Sequence, residues 1–161
     1  MSISFCIPLT KGEFALVDPH DFFEVSQYKW TLKETRFNKY AYRQYKQEGK
    51  MVQILLHRFI SKCPTGLAVD HKNGNGLDNR RVNLRVCTQS ENLANTSRHS
   101  DRKYDLPKGV GYKADRKTNP YYSQITKGGK RYNLGYFSTV DAAYAAYKQK
   151  SIELFGEFSR C

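Results

Sequence analysis

The stretch that decides the fold of this chain is VDHKNGNGLDNRRVNLRVCTQSENLAN, residues 69–95. Two runs typical of β-strands, Leu67–His71 and Asn83–Cys87, lie on either side of a segment rich in the turn formers Asn, Gly and Asp. Thr88 and Glu91 then have the spacing of a capping box, in which each side chain bonds the other residue's backbone N–H. The pattern predicts a strand, a long loop, a second strand and a helix that begins near Thr88.

Four side chains in this stretch have the chemistry that phosphodiester hydrolysis requires. The reaction needs a base that activates water and a cation that neutralises charge developing on the leaving oxygen. Asp70 and Asn92 could supply the oxygen ligands that suit Mg²⁺ or Mn²⁺, because a carboxylate and an amide oxygen form a hard site. Neutral His71 would be the general base, since imidazole exchanges a proton near pH 7. Asn83 would brace the loop or orient the imidazole.

Residues 55–96 resemble the core of the HNH endonucleases, the ββα-metal nucleases, through D-H, N-L-R and S-E-N at that family's spacing. The resemblance implies that His71 is the base and that Asn83 is the structural asparagine. It also implies that Asp70 and Asn92 are the metal ligands. The last motif position is often histidine in the wider family, and Asn92 is a variant known among homing-type members. The zinc-binding cysteine pairs of some HNH cores are missing.

Further basic residues flank these four positions. His57 belongs to an L-H-R run that the family also shows, and it could support the metal site, contact a phosphate or pack in the core. Guanidinium groups match phosphate with two parallel hydrogen bonds, and a solvated basic face is the alternative interpretation. The predicted phosphate contacts are Arg58, Arg80, Arg81 and Arg85.

The last third of the chain has the pattern of a small sheet followed by one helix. Strands are predicted near Gly109–Ala114, Tyr121–Thr126 and Arg131–Tyr136, and a helix is predicted over Ser138–Phe155. Side-chain alternation gives the sheet a polar, cationic face turned away from the helix. Such a face can enter a major groove, where Arg and Gln bond base edges.

Residues 108–160 are similar to the Apetala-two DNA-binding domain through K-G-V, G-G-K-R, L-G-Y-F-x-T and L-F-G-E-F. The resemblance implies a DNA-reading module, and the alternative is a sheet that only packs against the nuclease domain. Gly111 stands where plant members commonly carry arginine and Asn133 where tryptophan often lies, so their sequence preference does not transfer. The positions that match DNA-facing places are Lys113, Arg116, Gln124, Thr126, Arg131 and Asn133.

Composition points to an acidic partner. The 161 residues carry 27 Lys and Arg against 15 Asp and Glu, a formal net charge of +12. Nucleic acid fits that charge, and an anionic membrane fits less well because no apolar run approaches the about 18 residues of a spanning helix. The N-terminus lacks the pattern of a signal peptide, and the four cysteines are scattered, as in a reducing compartment. We therefore expect a cytoplasmic location, in a bacterial or phage-infected cell.

The predicted class is α+β. Residues 1–97 form the nuclease domain, with a β-rich scaffold in 1–60 and the ββα-metal core in about 55–97. Residues 98–107 form a linker, and 108–161 form a three-stranded antiparallel sheet backed by one helix. The predicted function is a metal-dependent endonuclease of double-stranded DNA, of the homing or nicking type. A non-catalytic DNA-binding regulator with a degenerate nuclease core and an RNA-directed nuclease are the alternatives. A monomer is expected, and a dimer stays open.

Overall fold

A computed structural model describes residues 3–96 and 105–160 of the chain. Within these ranges the fold is mixed, with several small sheets and four α-helices, which confirms the predicted combination of strands and helices. The chain divides into two compact units, Met1–Thr88 and Gln89–Cys161. Residues 98–104 of the predicted linker lie outside the described residues. The boundary between the units lies before Gln89, whereas the predicted nuclease domain continues to residue 97. The functional roles of the two domains stay predictions.

The first unit contains three antiparallel sheets, with strand orders β1-β2, β3-β4-β5 and β6-β7. Each strand predicted in this part of the sequence overlaps an observed one. The elements are β1 Phe5–Pro8, β2 Phe14–Val17, α1 Pro19–Ser26, β3 Thr31–Glu34, β4 Lys39–Gln47, β5 Lys50–Leu55, α2 Leu56–Ser61, β6 Ala68–His71 and β7 Leu84–Cys87.

The two helices of this unit begin and end where local chemistry requires. Pro19 occupies the first turn of α1, where its missing N–H costs no hydrogen bond. Helix α2 ends at Ser61 and is capped by Lys62, which adopts the left-handed conformation with φ of 49°. Both helices contribute to one apolar core that also includes the indole of Trp30. The buried side chains of this core include Ile7, Val17, Val25, Trp30, Leu56 and Ile60.

Strand β2 ties this core to the turn-rich loop between β6 and β7. The N–H of Leu16 donates to the carbonyl of Leu77, and the N–H of Asn79 donates to the carbonyl of Leu16, both at 2.8 Å. These bonds form an isolated parallel bridge between Leu16 and Asp78. The loop is therefore anchored to the scaffold by main-chain hydrogen bonds.

The second unit contains a three-stranded antiparallel sheet in the order β10-β9-β8. Ser123 and Ile125 of β9 are buried, as are Tyr147 and Phe155 of the long helix, so alternation along the strand divides the faces as predicted. Thr139 caps that helix by accepting from the N–H of Ala142 at 3.2 Å. The elements are α3 Gln89–Asn95, β8 Val110–Tyr112, β9 Tyr121–Lys127, β10 Lys130–Phe137, α4 Val140–Phe155 and a 3-10 turn at Gly156–Phe158.

In the ranges that the structure describes, no helix combines the length and the apolar character that a membrane span needs.

Candidate active site

The Asp-His pair of the sequence lies at the end of β6, in the first unit. Asp70 and His71 are both buried, at 4% and 5% exposure. In the β6-β7 register Asp70 stands opposite Arg85, and His71 stands opposite Leu84. The Nε of Arg85 donates to Oδ2 of Asp70 at 2.7 Å. The carboxylate that the sequence marks as a metal ligand is thus held by a neighbouring guanidinium.

The imidazole of His71 belongs to a cluster of three rings. Its centroid lies 5.0 Å from that of His57, with the planes at 89°. Tyr40 completes the cluster at 5.8 Å from His57 and 6.1 Å from His71. The structure therefore brings His57 next to His71, and the role of His57 stays a prediction.

Burial governs the protonation of both histidines. It lowers the pKa of His71 below its ordinary value of 6.5, and Asn79 and the carboxylates of Asp70 and Asp78 oppose that shift. Burial, together with the nearby His71 and Arg58, lowers the pKa of His57 to about 3. Both rings are consequently neutral at pH 7, and a neutral imidazole is the form that can accept a proton.

Asn83 braces the loop that follows His71. Its Oδ1 accepts from the N–H of Asn73 at 3.0 Å, and its Nδ2 donates to the carbonyl of Asp78 at 2.7 Å. Its own carbonyl accepts from the N–H of Lys72 at 2.9 Å. One buried side chain thereby joins both ends of the loop, which matches the bracing role considered for it. Its classification as a catalytic residue stays a prediction.

Asp78 and Asn79 are two buried polar residues of this loop that sequence reasoning missed. Asp78 accepts from Nε and Nη2 of Arg80 at 2.7 and 2.6 Å, and from Nδ2 of Asn73 at 2.9 Å. The hydrogen bonds from Arg80 hold the pKa of Asp78 below its ordinary value. Nothing in the sequence separates these residues from ordinary turn residues, because their burial follows from the bridge to Leu16.

The four arginines predicted to contact phosphate all bond to protein groups. Arg58 donates to the carbonyls of Leu67, Cys63 and Pro64. Arg80 pairs with Asp78 and Arg85 pairs with Asp70. Arg81 makes a two-pronged contact with Asp21, at 2.8 and 2.6 Å. In the structure these guanidinium groups bind protein carbonyls and carboxylates. Their contacts with DNA stay predictions.

The remaining predicted residues lie in the second unit. Asn92 is a half-buried residue of α3, and its carbonyl accepts from Oγ1 of Thr96 at 3.2 Å. On the sheet, Arg131 stands opposite Thr126 and Asn133 stands opposite Gln124, so these four share one face. Arg131, Asn133 and Thr126 are exposed, and Gln124 is half-buried.

Lys113 and Arg116 lie beside the same sheet. The guanidinium carbon of Arg116 lies 3.9 Å from the centroid of the Tyr136 ring, and Nζ of Lys113 lies 5.5 Å from it. A hydrogen bond with Tyr136 raises the pKa of Lys113, so this amine is cationic at neutral pH. The predicted face is therefore polar and positively charged.

The donor chemistry of the site fits a weakly ligated hard cation. Among residues 3–96 and 105–160, no three His, Cys, Asp or Glu side chains cluster to hold a metal. Asp70 offers one carboxylate in the first unit. Mg²⁺ commonly keeps several waters and takes one or two carboxylates together with substrate phosphates. A site of this kind is compatible with Asp70 as a protein ligand, with amide oxygen, water and phosphate completing the coordination.

Comparison with known proteins bears on the same segment. Residues 56–94 match the family described as HNH endonuclease. Over 155 residues the chain is 34% identical to an uncharacterized HNH endonuclease of Acanthamoeba polyphaga mimivirus, and the alignment covers 92% of this chain and 74% of that protein. No solved structure matches the chain. The family match ends at residue 94, before β8 begins at Val110. The Apetala-two resemblance of the second unit therefore stays a prediction.

Proposed function

This chain belongs to the HNH endonuclease family, and we propose that it cuts double-stranded DNA by metal-dependent hydrolysis of a phosphodiester bond. The observation that carries the proposal is the Asp70-His71 pair at the end of β6. It combines a buried carboxylate with a neutral imidazole at the start of a braced loop. These are the groups needed to bind a hard cation and to accept the proton of an attacking water.

In this proposal the imidazole of His71 takes a proton from water as the water oxygen bonds to phosphorus. The bond from phosphorus to the leaving oxygen breaks on the opposite side. Asp70 would hold Mg²⁺ or Mn²⁺, with Asn92 as the second ligand that the family resemblance implies. A bound cation would neutralise charge on the phosphate and on the leaving oxygen.

The second unit would hold the enzyme on its target. Its exposed cationic face carries Arg131 and Asn133 on β10, and its strand geometry suits a major groove. We propose that this face supplies sequence preference and phosphate contacts, as in a homing or nicking enzyme. One active site in a monomer cuts one strand, so a nicked circle is the expected first product.

The test is incubation of the purified chain with supercoiled plasmid at low salt, with Mg²⁺ or with EDTA. His71→Ala is the active-site variant. His20→Ala is the matched control, because His20 is an exposed residue of α1. Nicked or linear DNA is expected with Mg²⁺ for the wild type and for His20→Ala, whereas His71→Ala should bind DNA without cutting it. Equal cutting by His71→Ala would remove His71 as the base. DNA retarded in a gel but uncut under every condition would favour a non-catalytic regulator.

A further inference from the structure

Tyr40, in the sheet β3-β4-β5, contacts the ring of His71, the candidate base. Tyr40 comes from β4, His57 from α2 and His71 from β6, so three separate elements contribute one ring each. His57 meets His71 edge to face, which is a favoured geometry for ring pairs. Rings packed from two directions restrict rotation of the third about its side-chain bonds. One of the two rings that restrict His71, that of Tyr40, lies outside the segment that matches the nuclease family.

The loop that follows His71 also packs against Tyr40. A Cβ added to Gly76 would overlap the ring of Tyr40 and the carbonyl oxygen of Lys39, so only glycine allows this approach. Asn38 holds the same loop, because its Nδ2 donates to the carbonyl of Gly74 at 2.9 Å and its Oδ1 accepts from the N–H of Gly76 at 3.2 Å. Tyr40 therefore contacts both the loop and the two imidazoles.

The neutral state of His57 suits this arrangement. A positive charge on His57 would repel a proton arriving on the neighbouring ring, 5.0 Å away. Its burial keeps the ring uncharged at neutral pH.

We infer that Tyr40 and His57 are positioning residues, whose rings hold the imidazole of His71 in its working orientation. The inference rests on the proposed function, in which His71 is the base. Catalytic groups lose activity steeply when displaced, by up to about 100-fold for a shift of about 1 Å. The three-stranded sheet β3-β4-β5 is then part of the catalytic apparatus rather than a scaffold alone.

The experiment compares Tyr40→Leu with Tyr40→Phe in the full chain. Tyr42→Leu is the matched control, because Tyr42 lies two residues further along the same face of β4. Cleavage of supercoiled plasmid with Mg²⁺ gives kcat and KM. The three-bond couplings about the Cα–Cβ bond of His71, recorded in EDTA, report its χ1 rotamer without any need for activity and do not depend on the ring current of Tyr40. His57→Leu and Gly76→Ala provide two independent perturbations of the cluster.

Tyr40→Leu, His57→Leu and Gly76→Ala are expected to lower kcat by about tenfold to 100-fold, with KM changed less than about twofold. They should also change the His71 couplings. Tyr40→Phe should keep both properties at the wild-type values because the ring is retained, and Tyr42→Leu should match the wild type. The inference is overturned if folded Tyr40→Leu keeps the wild-type His71 couplings, or if its loss of cleavage equals its loss of folded protein. Changed couplings in a chain that cuts no DNA would support the positioning role and contradict the proposed function.

Discussion

Asp70 and Arg85 stand directly opposite each other on the β6-β7 hairpin and form a nearly buried ion pair, with 5% and 10% of their side chains exposed. The Nε of Arg85 lies 2.7 Å from Oδ2 of Asp70. The same pairing places a positive charge where a divalent cation would bind.

Replacing Arg85 with methionine is expected to tighten binding of Mn²⁺ severalfold, because the guanidinium no longer competes for Asp70. The metal-free protein should lose about 3 kcal/mol of unfolding free energy, since a buried carboxylate is left without its partner. Titration calorimetry and urea unfolding, with and without Mn²⁺, measure both effects. Arg131→Met, an exposed arginine of β10, is the control. Unchanged Mn²⁺ affinity in Arg85→Met would argue against Asp70 as a ligand.

Asn83→Ala is expected to loosen the loop. The change removes the hydrogen bonds to Asn73 and Asp78 and takes the Asn83 donor from the buried main-chain carbonyl of Asp78, at a cost of about 2 kcal/mol. The amide hydrogen of Asn73 should exchange faster with solvent. Asn133→Ala, at an exposed position of β10, should leave both measurements unchanged. Wild-type exchange at Asn73 in the Asn83 variant would contradict the bracing role.

The pKa of His57 makes stability depend on pH. In the folded chain it is lowered to about 3, against 6.5 ordinarily, so the unfolded chain binds the proton more readily between these values. Stability is therefore fully present above about pH 6.5 and falls as the pH decreases, by about 3 kcal/mol between pH 7 and pH 4 from this group. Urea unfolding at both pH values should show a smaller decrease for His57→Phe than for the wild type. Equal decreases would show that His57 does not carry this dependence.

Arg131→Ala tests the cationic face of the second unit. Loss of one phosphate contact should weaken DNA binding and reduce the slope of log affinity against log salt by about one. A base-edge contact would instead relax specificity at one position, by about 1–3 kcal/mol. The control is Lys148→Ala, which removes an equal charge from the exposed side of α4. If both variants bind like the wild type at every salt concentration, this face does not bind DNA.

Local sequence signals predicted the elements well and their long-range partners poorly. The runs at Leu67–His71 and Asn83–Cys87 overlap β6 and β7 because apolar alternation and turn residues act over a few positions. The pairing of Arg81 with Asp21, 60 positions away, depends on how α1 packs. No periodicity carries that information. The phosphate-binding role assigned to the arginines came from residue type alone, and their protein partners emerge only in the folded chain.

The same limit applies to the candidate site. Asp70 and His71 were recognisable because two functional residue types stand together at the end of a predicted strand. Tyr40 was not, since a tyrosine in a strand is commonly a packing residue. Gly74 does adopt the left-handed conformation expected of a turn, with φ of 76°. Gly76 is required for a different reason, which is the close approach of Tyr40.

The anchoring of the loop to β2 and α1 has a consequence for how the protein acquires activity. Arg81 bonds Asp18 from 63 positions away, and Asn79 bonds Leu16 across a similar distance. Contacts of such high sequence separation close large loops, and they form late because chain entropy opposes them. During synthesis the N-terminal strands emerge first and must wait for these later residues. Cleavage competence is therefore expected to appear only after the first unit has condensed as a whole.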